Sequence, residues 1–209
     1  MKNLIIIGAR GFGRDIYSLA LECSDYQKDY QIKGFLDDKK DALDEFHSYL
    51  PILDSYENYI VKTDDVFICA FGDVLSKKKC IQMILDKGGK FITLVHPSAH
   101  VDATAKIGIG SIVLNNAFVG AGSNIGDFVL IQVSTVIGHD VKIGNYSRID
   151  CHAVCVGGII LEDEVTIHTS AIVNHNVVVE KGAHVGAGSF VIRKVKENTT
   201  VYGNPARKL

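Results

Sequence analysis

The second half of the chain repeats with a period of six residues. Every sixth residue from Val101 to Val191 is aliphatic or cysteine, and every sixth residue from Ala105 to Val195 is small or β-branched. A period of six fits neither an α-helix nor an ordinary alternating strand. It is typical of a parallel β-helix, in which each short strand buries its apolar side only by stacking on the next coil. Three hexapeptides close one triangular coil, so residues eighteen apart in sequence are predicted to lie on neighbouring coils.

Glycines occupy the second position of many of these hexapeptides. They are Gly108, Gly120, Gly126, Gly138, Gly144 and Gly186. We expect them at tight corners, where a side chain would clash or where the backbone needs a positive φ. The run from Val101 to Ile192 predicts about five coils.

Length and charge restrict what the whole chain can be. The 209 residues accommodate two small domains, which we place at residues 1–95 and 96–209. The net charge of −2 provides no basic surface of the kind that nucleic acids require. The five cysteines contain no CxxC pair, which argues against a disulfide framework or a zinc ribbon and fits a reducing cytoplasm. Since no basic surface is expected, small molecules are the expected partners, and no apolar stretch is long enough for a membrane span, so we expect a soluble chain.

The first half alternates predicted strands with predicted helices. An apolar run at Lys2–Ile7 stops at the glycine-rich segment Gly8–Gly13, and helical spacing of apolar residues follows at Asp15–Cys23. The further predicted elements are strands at Gln31–Leu36, Val66–Ala70 and Lys90–Val95, and a helix near Ser76–Leu85. This alternation predicts a small Rossmann-like α/β domain with a parallel sheet and right-handed crossovers.

Ligands of such sheets bind beyond the carboxyl ends of the strands, where three glycine-rich or acidic segments fall in this chain. We expect one crevice there, in which a helix N-terminus faces a phosphate and an acidic side chain faces a sugar hydroxyl. The candidate binding residues are Gly8, Arg10, Gly11, Phe12, Asp37, Asp38 and Gly72. A nucleotide-linked sugar fits better than NAD, because the glycine spacing departs from the dinucleotide fingerprint and the domain is short. A glycine turn that only caps a helix is the remaining alternative.

Two features of the second half resemble a known superfamily. The hexapeptide pattern resembles the left-handed β-helix of the hexapeptide acyltransferases, and the ending Val201–Ala206 resembles their terminal Gly-Asn-Pro-Ala loop. With the N-terminal GAxGxG segment and Gly138-His139-Asp140, nearly the whole chain is similar to the sialic-acid O-acetyltransferase type family. That family includes N-acetyltransferases of nucleotide-linked amino sugars. The resemblance implies a trimer in which acyl-CoA lies in a groove between neighbouring solenoids.

The resemblance implies catalytic and acceptor-binding roles for individual residues. His139 would be the general base, Asp140 the acid that raises its proton affinity, and Gln132 a side chain that orients the sugar. The residues support the base independently, because His139 sits at a corner and projects outward, where an imidazole can accept a proton near neutral pH. Gly157 follows one coil later and is expected to offer its N–H to the thioester oxygen. The structural alternatives are a solvated corner histidine and a bent coil at Gly157-Gly158.

For the coenzyme, the resemblance points to Arg148, Gly157, Thr169 and Ala187. Two positions depart from the family pattern, because Phe12 and Arg148 each stand where sugar N-acetyltransferases have histidine. We expect Phe12 to stack or pack against the nucleotide and Arg148 to bind a carbonyl or a phosphate of CoA.

Together these observations predict a cytoplasmic homotrimeric enzyme with its active site between subunits. It would transfer the acetyl group of acetyl-CoA to the amine of a UDP-, dTDP- or GDP-linked 4-amino-4,6-dideoxyhexose in surface-glycan synthesis. A sugar hydroxyl, as in sialic acid, is the alternative acceptor, and a serine acetyltransferase is disfavoured by the α/β first half.

Two other classes of protein are less favoured. A γ-carbonic-anhydrase-like metalloenzyme would need converging histidines, but His139 and His175 are predicted two coils apart, roughly 9–10 Å, so no metal site is expected. A non-catalytic sugar-binding trimer is disfavoured by the intact His139-Asp140 pair.

Overall fold

The computed structural model describes all residues, 1–209, and the chain divides into two compact units. The first comprises Met1–Leu94 and the second Val95–Leu209. Neither of the two helices has the length and apolar character needed to cross a membrane.

The first unit is an α/β fold around a five-stranded sheet. Its strands are β1 (Lys2–Ile7), β2 (Tyr30–Leu36), β3 (Ile52–Asp54), β4 (Asp65–Cys69) and β5 (Lys90–Phe91), and its helices are α1 (Gly11–Glu22) and α2 (Val74–Asp86). The strand order is β3-β2-β1-β4-β5, and every pair is parallel, as predicted. The last four residues of the central strand β1, Leu4–Ile7, are all apolar and completely buried, because neighbouring elements cover both faces of the sheet.

Two local predictions for this unit were wrong, and one strand was not predicted. Helix α1 begins at Gly11, four residues earlier than expected, so Gly11 and Phe12 lie on its first turn and not in a loop. The run Lys90–Val95 forms two short strands in different sheets, since Leu94–Val95 pairs within the solenoid. Strand β3 had no sequence signal of its own, because it is three residues long and is defined by its pairing with β2.

The second unit is a triangular β-solenoid with three parallel faces. Face 1 contains β6 (Leu94–Val95), β9 (Ile112–Val113), β12 (Leu130–Ile131), β15 (Arg148–Ile149), β18 (Thr166–Ile167), β21 (His184–Val185), β23 (Thr200–Gly203) and the antiparallel β24 (Ala206–Lys208). Face 2 contains β7 (His100–Val101), β10 (Phe118–Val119), β13 (Val136–Ile137), β16 (Val154–Cys155), β19 (Ile172–Val173) and β22 (Phe190–Val191). Face 3 contains β8 (Lys106–Ile107), β11 (Asn124–Ile125), β14 (Lys142–Ile143), β17 (Ile160–Leu161) and β20 (Val178–Val179).

The two predicted inward registers fill the interior of the prism. Residues of both registers between Val113 and Val195 are buried, and the inward side chains form one continuous apolar cluster. Paired strands are eighteen residues apart, as in Ile137 with Cys155. The inward hydroxyls find partners on the next coil, as when Ser123 Oγ donates to the Gly138 carbonyl at 2.8 Å. Stacking therefore satisfies both the apolar and the polar inward groups.

The second-position glycines meet one of the two expectations, because a side chain would clash there but the backbone does not have positive φ. The second-position glycines do not have positive φ; positive φ occurs two residues later, for example at Asp140 (φ 58°) and His152 (φ 60°). What the second position excludes is a side chain: a Cβ on Gly144 would lie 2.5 Å from the Asp163 nitrogen of the next coil. Close stacking of the coils, and not backbone conformation, thus accounts for these glycines.

Candidate active site

A cleft opens at the carboxyl ends of β1, β2 and β4 in the first unit. Its volume is about 340 Å³. The lining residues are Gly8, Arg10, Phe12, Gly13, Asp37, Asp38, Tyr56, Ala70, Phe71, Gly72, Asp73 and Ser76. Of the seven predicted binding residues in this unit, six line the cleft and Gly11 does not. The three parallel strands bring the segments together because they end at one edge of the sheet.

Asp37 shapes the floor of this cleft. Its carboxylate accepts the Ala9 N–H at 2.8 Å and the Lys39 N–H at 2.9 Å, and the residue is buried. Gly8 has a φ of 98°, and a Cβ there would lie 2.9 Å from the Phe71 ring. Asp37 therefore holds the turn after β1 in place, while Arg10, with a side chain 71% exposed, lies at the cleft with its Nε 4.0 Å from Asp37.

The cleft also carries a hydrogen-bonded pair that the sequence did not suggest. Tyr56 hydrogen-bonds to the exposed Asp38, and burial, followed by this contact, raises the pKa of Tyr56 to about 12. The Tyr56 ring meets Phe71 edge-on at 6.0 Å, and Phe12 lines the same cleft from α1. The cleft therefore combines aromatic surface with a carboxylate and a phenol, which suits a nucleoside or sugar.

The second group of candidate residues lies on the solenoid edge between faces 2 and 3, called here edge 2–3. His139 Nδ1 is 2.8 Å from Asp140 Oδ2, and the two side chains are 65% and 72% exposed. Because a carboxylate only accepts, this contact assigns the proton to Nδ1 and leaves Nε2 as the nitrogen that can take up a proton. The pair has the arrangement of an oriented general base.

Gly157 lies directly against that base on the next coil. A Cβ on Gly157 would be 2.5 Å from His139 Nε2, so only glycine allows the imidazole to lie on this coil. The Gly157 N–H donates to no acceptor within the chain, whereas its carbonyl is 3.2 Å from His175 Nδ1. A proton-accepting nitrogen and an unused backbone donor therefore lie side by side, as acyl transfer requires.

The remaining candidates lie on a different part of the prism. Gln132 and Arg148 are on face 1, and both hydrogen-bond to the buried Asp150. Thr169 and Ala187 are exposed at the edge between faces 1 and 2, called here edge 1–2, on consecutive coils. A single chain thus brings His139, Asp140 and Gly157 together, and separately groups Gln132 with Arg148, but does not join the two groups.

Comparison with known proteins agrees with this architecture. Residues 3–84 match the family described as PglD N-terminal domain. The acetyltransferase domain of PglB from Neisseria gonorrhoeae FA1090, solved with acetyl coenzyme A, covers 100% of this chain at 28% identity with a TM-score of 0.90, and 99% of that domain is matched. GDP-perosamine N-acetyltransferase of Escherichia coli O157:H7 is 28% identical over 164 residues, which are 76% of this chain and 70% of that protein.

Residues 3–84 therefore carry the PglD N-terminal domain, and the chain as a whole resembles the PglD-like hexapeptide-repeat acyltransferases. The predicted fold, a small Rossmann-like unit followed by a left-handed β-helix, is confirmed. The resemblance stated from the hexapeptides, the GAxGxG segment and the terminal loop is therefore correct over the full length.

Part of the chain is also similar to a metalloenzyme. Gamma carbonic anhydrase 2 of Arabidopsis thaliana mitochondria is 32% identical over 160 residues, which are 64% of this chain but 54% of that protein. No three His, Cys, Asp or Glu side chains converge as a metal site within the chain. His168 and His184 stack at 5.9 Å, and burial, followed by the neighbouring His168, lowers the pKa of His184.

Proposed function

We propose that this protein transfers the acetyl group of acetyl-CoA to the amine of a nucleotide-linked 4-amino-4,6-dideoxyhexose. The observation that carries the proposal is the His139-Asp140 pair, with Nε2 beside the unused Gly157 N–H. Similarity to a protein named GDP-perosamine N-acetyltransferase supports a nucleotide-linked amino sugar as acceptor, and similarity to a domain solved with acetyl coenzyme A supports the donor.

The chemistry follows from these three groups. The neutral sugar amine attacks the thioester carbonyl, forming the C–N bond, and His139 Nε2 takes the proton that the amine loses. Asp140 stabilises the resulting imidazolium, and the Gly157 N–H stabilises the negative charge on the carbonyl oxygen. The C–S bond then breaks, the carbonyl re-forms, and the imidazolium returns its proton to the departing CoA thiolate. In this proposal the acetyl group moves directly from CoA to the amine, with no covalent acyl-enzyme.

The cleft of the first unit is the proposed nucleotide site. Helix α1 presents its N-terminus there, with Arg10 as the adjacent cation, which suits a diphosphate. Phe12 and Phe71 supply aromatic surface, and Asp38 with Tyr56 supplies hydrogen-bonding groups for hydroxyls or a base edge. Phe12 stands where histidine was expected, so its contribution is packing and not a hydrogen bond.

We further propose that the enzyme is a homotrimer with composite sites. The outward column of face 2 is apolar and exposed, with Phe118 at 42%, Val136 at 39% and Ile172 at 39%. Face 2 lies between edge 2–3, which carries His139, and edge 1–2, which carries Thr169 and Ala187. A three-fold axis brings different edges of neighbouring copies together, so the base of one subunit would face the coenzyme residues Arg148, Thr169 and Ala187 of the next.

The compartment follows from the substrates. Acetyl-CoA and nucleotide sugars are cytoplasmic metabolites, and the product would be a precursor of a surface glycan. The cytoplasm is accordingly the proposed location.

Thiol release from acetyl-CoA tests the reaction most simply. Wild-type protein would be assayed with UDP-, dTDP- and GDP-linked 4-amino-4,6-dideoxyhexoses and with sialic acid, and NMR would distinguish an amide product from an ester. The proposal predicts an amide product on one of the amino sugars. Turnover on sialic acid alone would move the function to O-acetylation. Turnover on none of them, with chelator-sensitive CO₂ hydration instead, would favour the carbonic-anhydrase class.

A further inference from the structure

Asp150 is a buried carboxylate that the reaction described above does not use. It follows β15 on face 1, and its side chain is 5% exposed. Burying a carboxylate costs free energy unless charged or polar donors surround it. The partners of Asp150 therefore explain how the fold accommodates its charge.

Two of those partners are the side chains proposed to contact the substrates. Arg148 grips the carboxylate in bidentate fashion, with Nε 2.5 Å from Oδ1 and Nη2 3.1 Å from Oδ2. Gln132, one coil away, donates Nε2 to the same Oδ1 at 3.0 Å. A planar guanidinium bound through two nitrogens has one orientation, so Asp150 determines the direction in which Arg148 points.

The oxygen of the Gln132 amide, like its nitrogen, has a hydrogen-bond partner. Cys151, the neighbour of Asp150, donates Sγ–H to Gln132 Oε1 at 3.0 Å. The coil that carries Asp150 therefore fixes both ends of the amide. His168 completes the surroundings, with Nδ1 3.4 Å from Asp150 Oδ2, and stacks in turn on His184.

We infer that Asp150 is a positioning residue that holds Gln132 and Arg148 in one arrangement, so that a single carboxylate sets the binding of both the acceptor sugar and acetyl-CoA. The inference rests on the proposed function, which gives Arg148 its role toward the coenzyme, and on the sugar-orienting role that the family resemblance implies for Gln132. It goes further by coupling the two binding sites through a residue that touches neither substrate.

The test is a double-mutant cycle on the full-length protein. Asp150→Asn keeps the shape but removes the negative charge, and the NH2 group that replaces Oδ2 cannot accept from Arg148 Nη2. The lost charge also weakens the hydrogen bonds that Oδ1 accepts from Arg148 Nε and Gln132 Nε2. We expect it to raise the KM for acetyl-CoA and for the sugar by about tenfold or more, with kcat within about threefold of wild type. In the Arg148→Gln background the same change should add little to the KM for acetyl-CoA, because its effect is transmitted through Arg148.

The matched control is Asp65→Asn. Asp65 is also a buried aspartate paired with a cation, with Oδ1 2.8 Å from Lys33 Nζ, but it begins β4 at the opposite end from the cleft. It should lower the melting temperature without changing either KM. Asp150→Glu preserves the charge and shifts its position by one methylene, so it should fold and still raise both KM values.

Each result supports or overturns the inference. If Asp150→Asn and Asp150→Glu change KM no more than Asp65→Asn, or if the cycle is additive, Asp150 is only structural and the proposed function stands. Calorimetric titration of CoA onto the wild type is the separate check on that function. A wild type that neither binds CoA nor acetylates any sugar would overturn both.

Discussion

The two units place functional side chains in different ways. In the solenoid, position within the hexapeptide decides the environment of each residue, so His139 and Gly157 are neighbours because they are one coil apart. In the α/β unit, Gly8, Asp38 and Phe71 meet only because three parallel strands end at one edge of the sheet. In the solenoid, the sequence separation of two residues is therefore enough to predict that they are neighbours. In the sheet, the prediction depends on the full set of strand pairings.

The two units also differ in which positions can be substituted without loss of stability. Interior solenoid positions must be small or apolar because each stacks on the equivalent position of the next coil, while the corner side chains of His139 and Asp140 are exposed. In the α/β unit, residues that shape the site are themselves buried, as Asp37 is. We therefore expect substitutions of exposed corner side chains such as His139 to change chemistry with little change in stability, and cleft substitutions to change binding.

Charge on face 2 is expected to change both the oligomeric state and the turnover. Ile172→Glu on face 2 and Ile160→Glu on face 3 replace outward side chains of equal exposure, 39% each. If face 2 packs between subunits, burying the glutamate of Ile172→Glu there is costly, so this variant should be monomeric and lose at least about a hundredfold in turnover. Ile160→Glu should remain trimeric and active. Sedimentation and thiol release measure both, and a trimeric, active Ile172→Glu would exclude face 2 as the interface.

The next effect tests how closely a solenoid corner controls the base. In Gly157→Ala the new methyl meets only the mobile end of His139, so the ring should swing away and kcat should fall on the order of a hundredfold with an unchanged melting temperature. Gly144→Ala is the contrasting variant, because its methyl meets backbone of the next coil. It should cost about 1–3 kcal/mol of stability and leave kcat unchanged. Measurements of thermal unfolding and of kcat distinguish the two variants. A destabilised Gly157→Ala with normal kcat, together with a stable Gly144→Ala with low kcat, would contradict the proposed role of Gly157 beside the base.

A smaller effect is expected in the cleft. Phe12→Ala removes aromatic surface from the nucleotide site, and loss of a stacked ring costs about 1–3 kcal/mol. The KM for the nucleotide sugar should therefore rise about tenfold while kcat changes little. Steady-state kinetics with the sugar varied at saturating acetyl-CoA measure this. A fall in kcat at unchanged KM would mean that Phe12 does not contact the nucleotide.

The contrast between the periodic solenoid and the α/β unit also explains how much of the fold and of the site the sequence predicts. The hexapeptide period gives the inward registers, and counting by eighteen also relates His139 to Gly157. The eighteen-residue spacing could have related Gln132, Asp150 and His168 in the same way. Nothing in the hexapeptide pattern, however, predicts that an aspartate at the second position is buried and bound to an arginine. Tyr56 reaches the cleft from a connection with no periodicity, and the start of α1 at Gly11 was missed because a glycine-rich segment is typical of a loop.

The central claim is that edge 2–3 of the solenoid performs the proton transfer while the α/β cleft holds the nucleotide. The most direct test measures kcat and nucleotide binding together in His139→Ala, with the exposed His47→Ala in the first unit as the matched control. The account predicts that kcat falls by about two to four orders of magnitude in His139→Ala alone, while all three proteins bind the nucleoside diphosphate equally. Turnover near wild type in His139→Ala, or loss of nucleotide binding with it, would contradict this division.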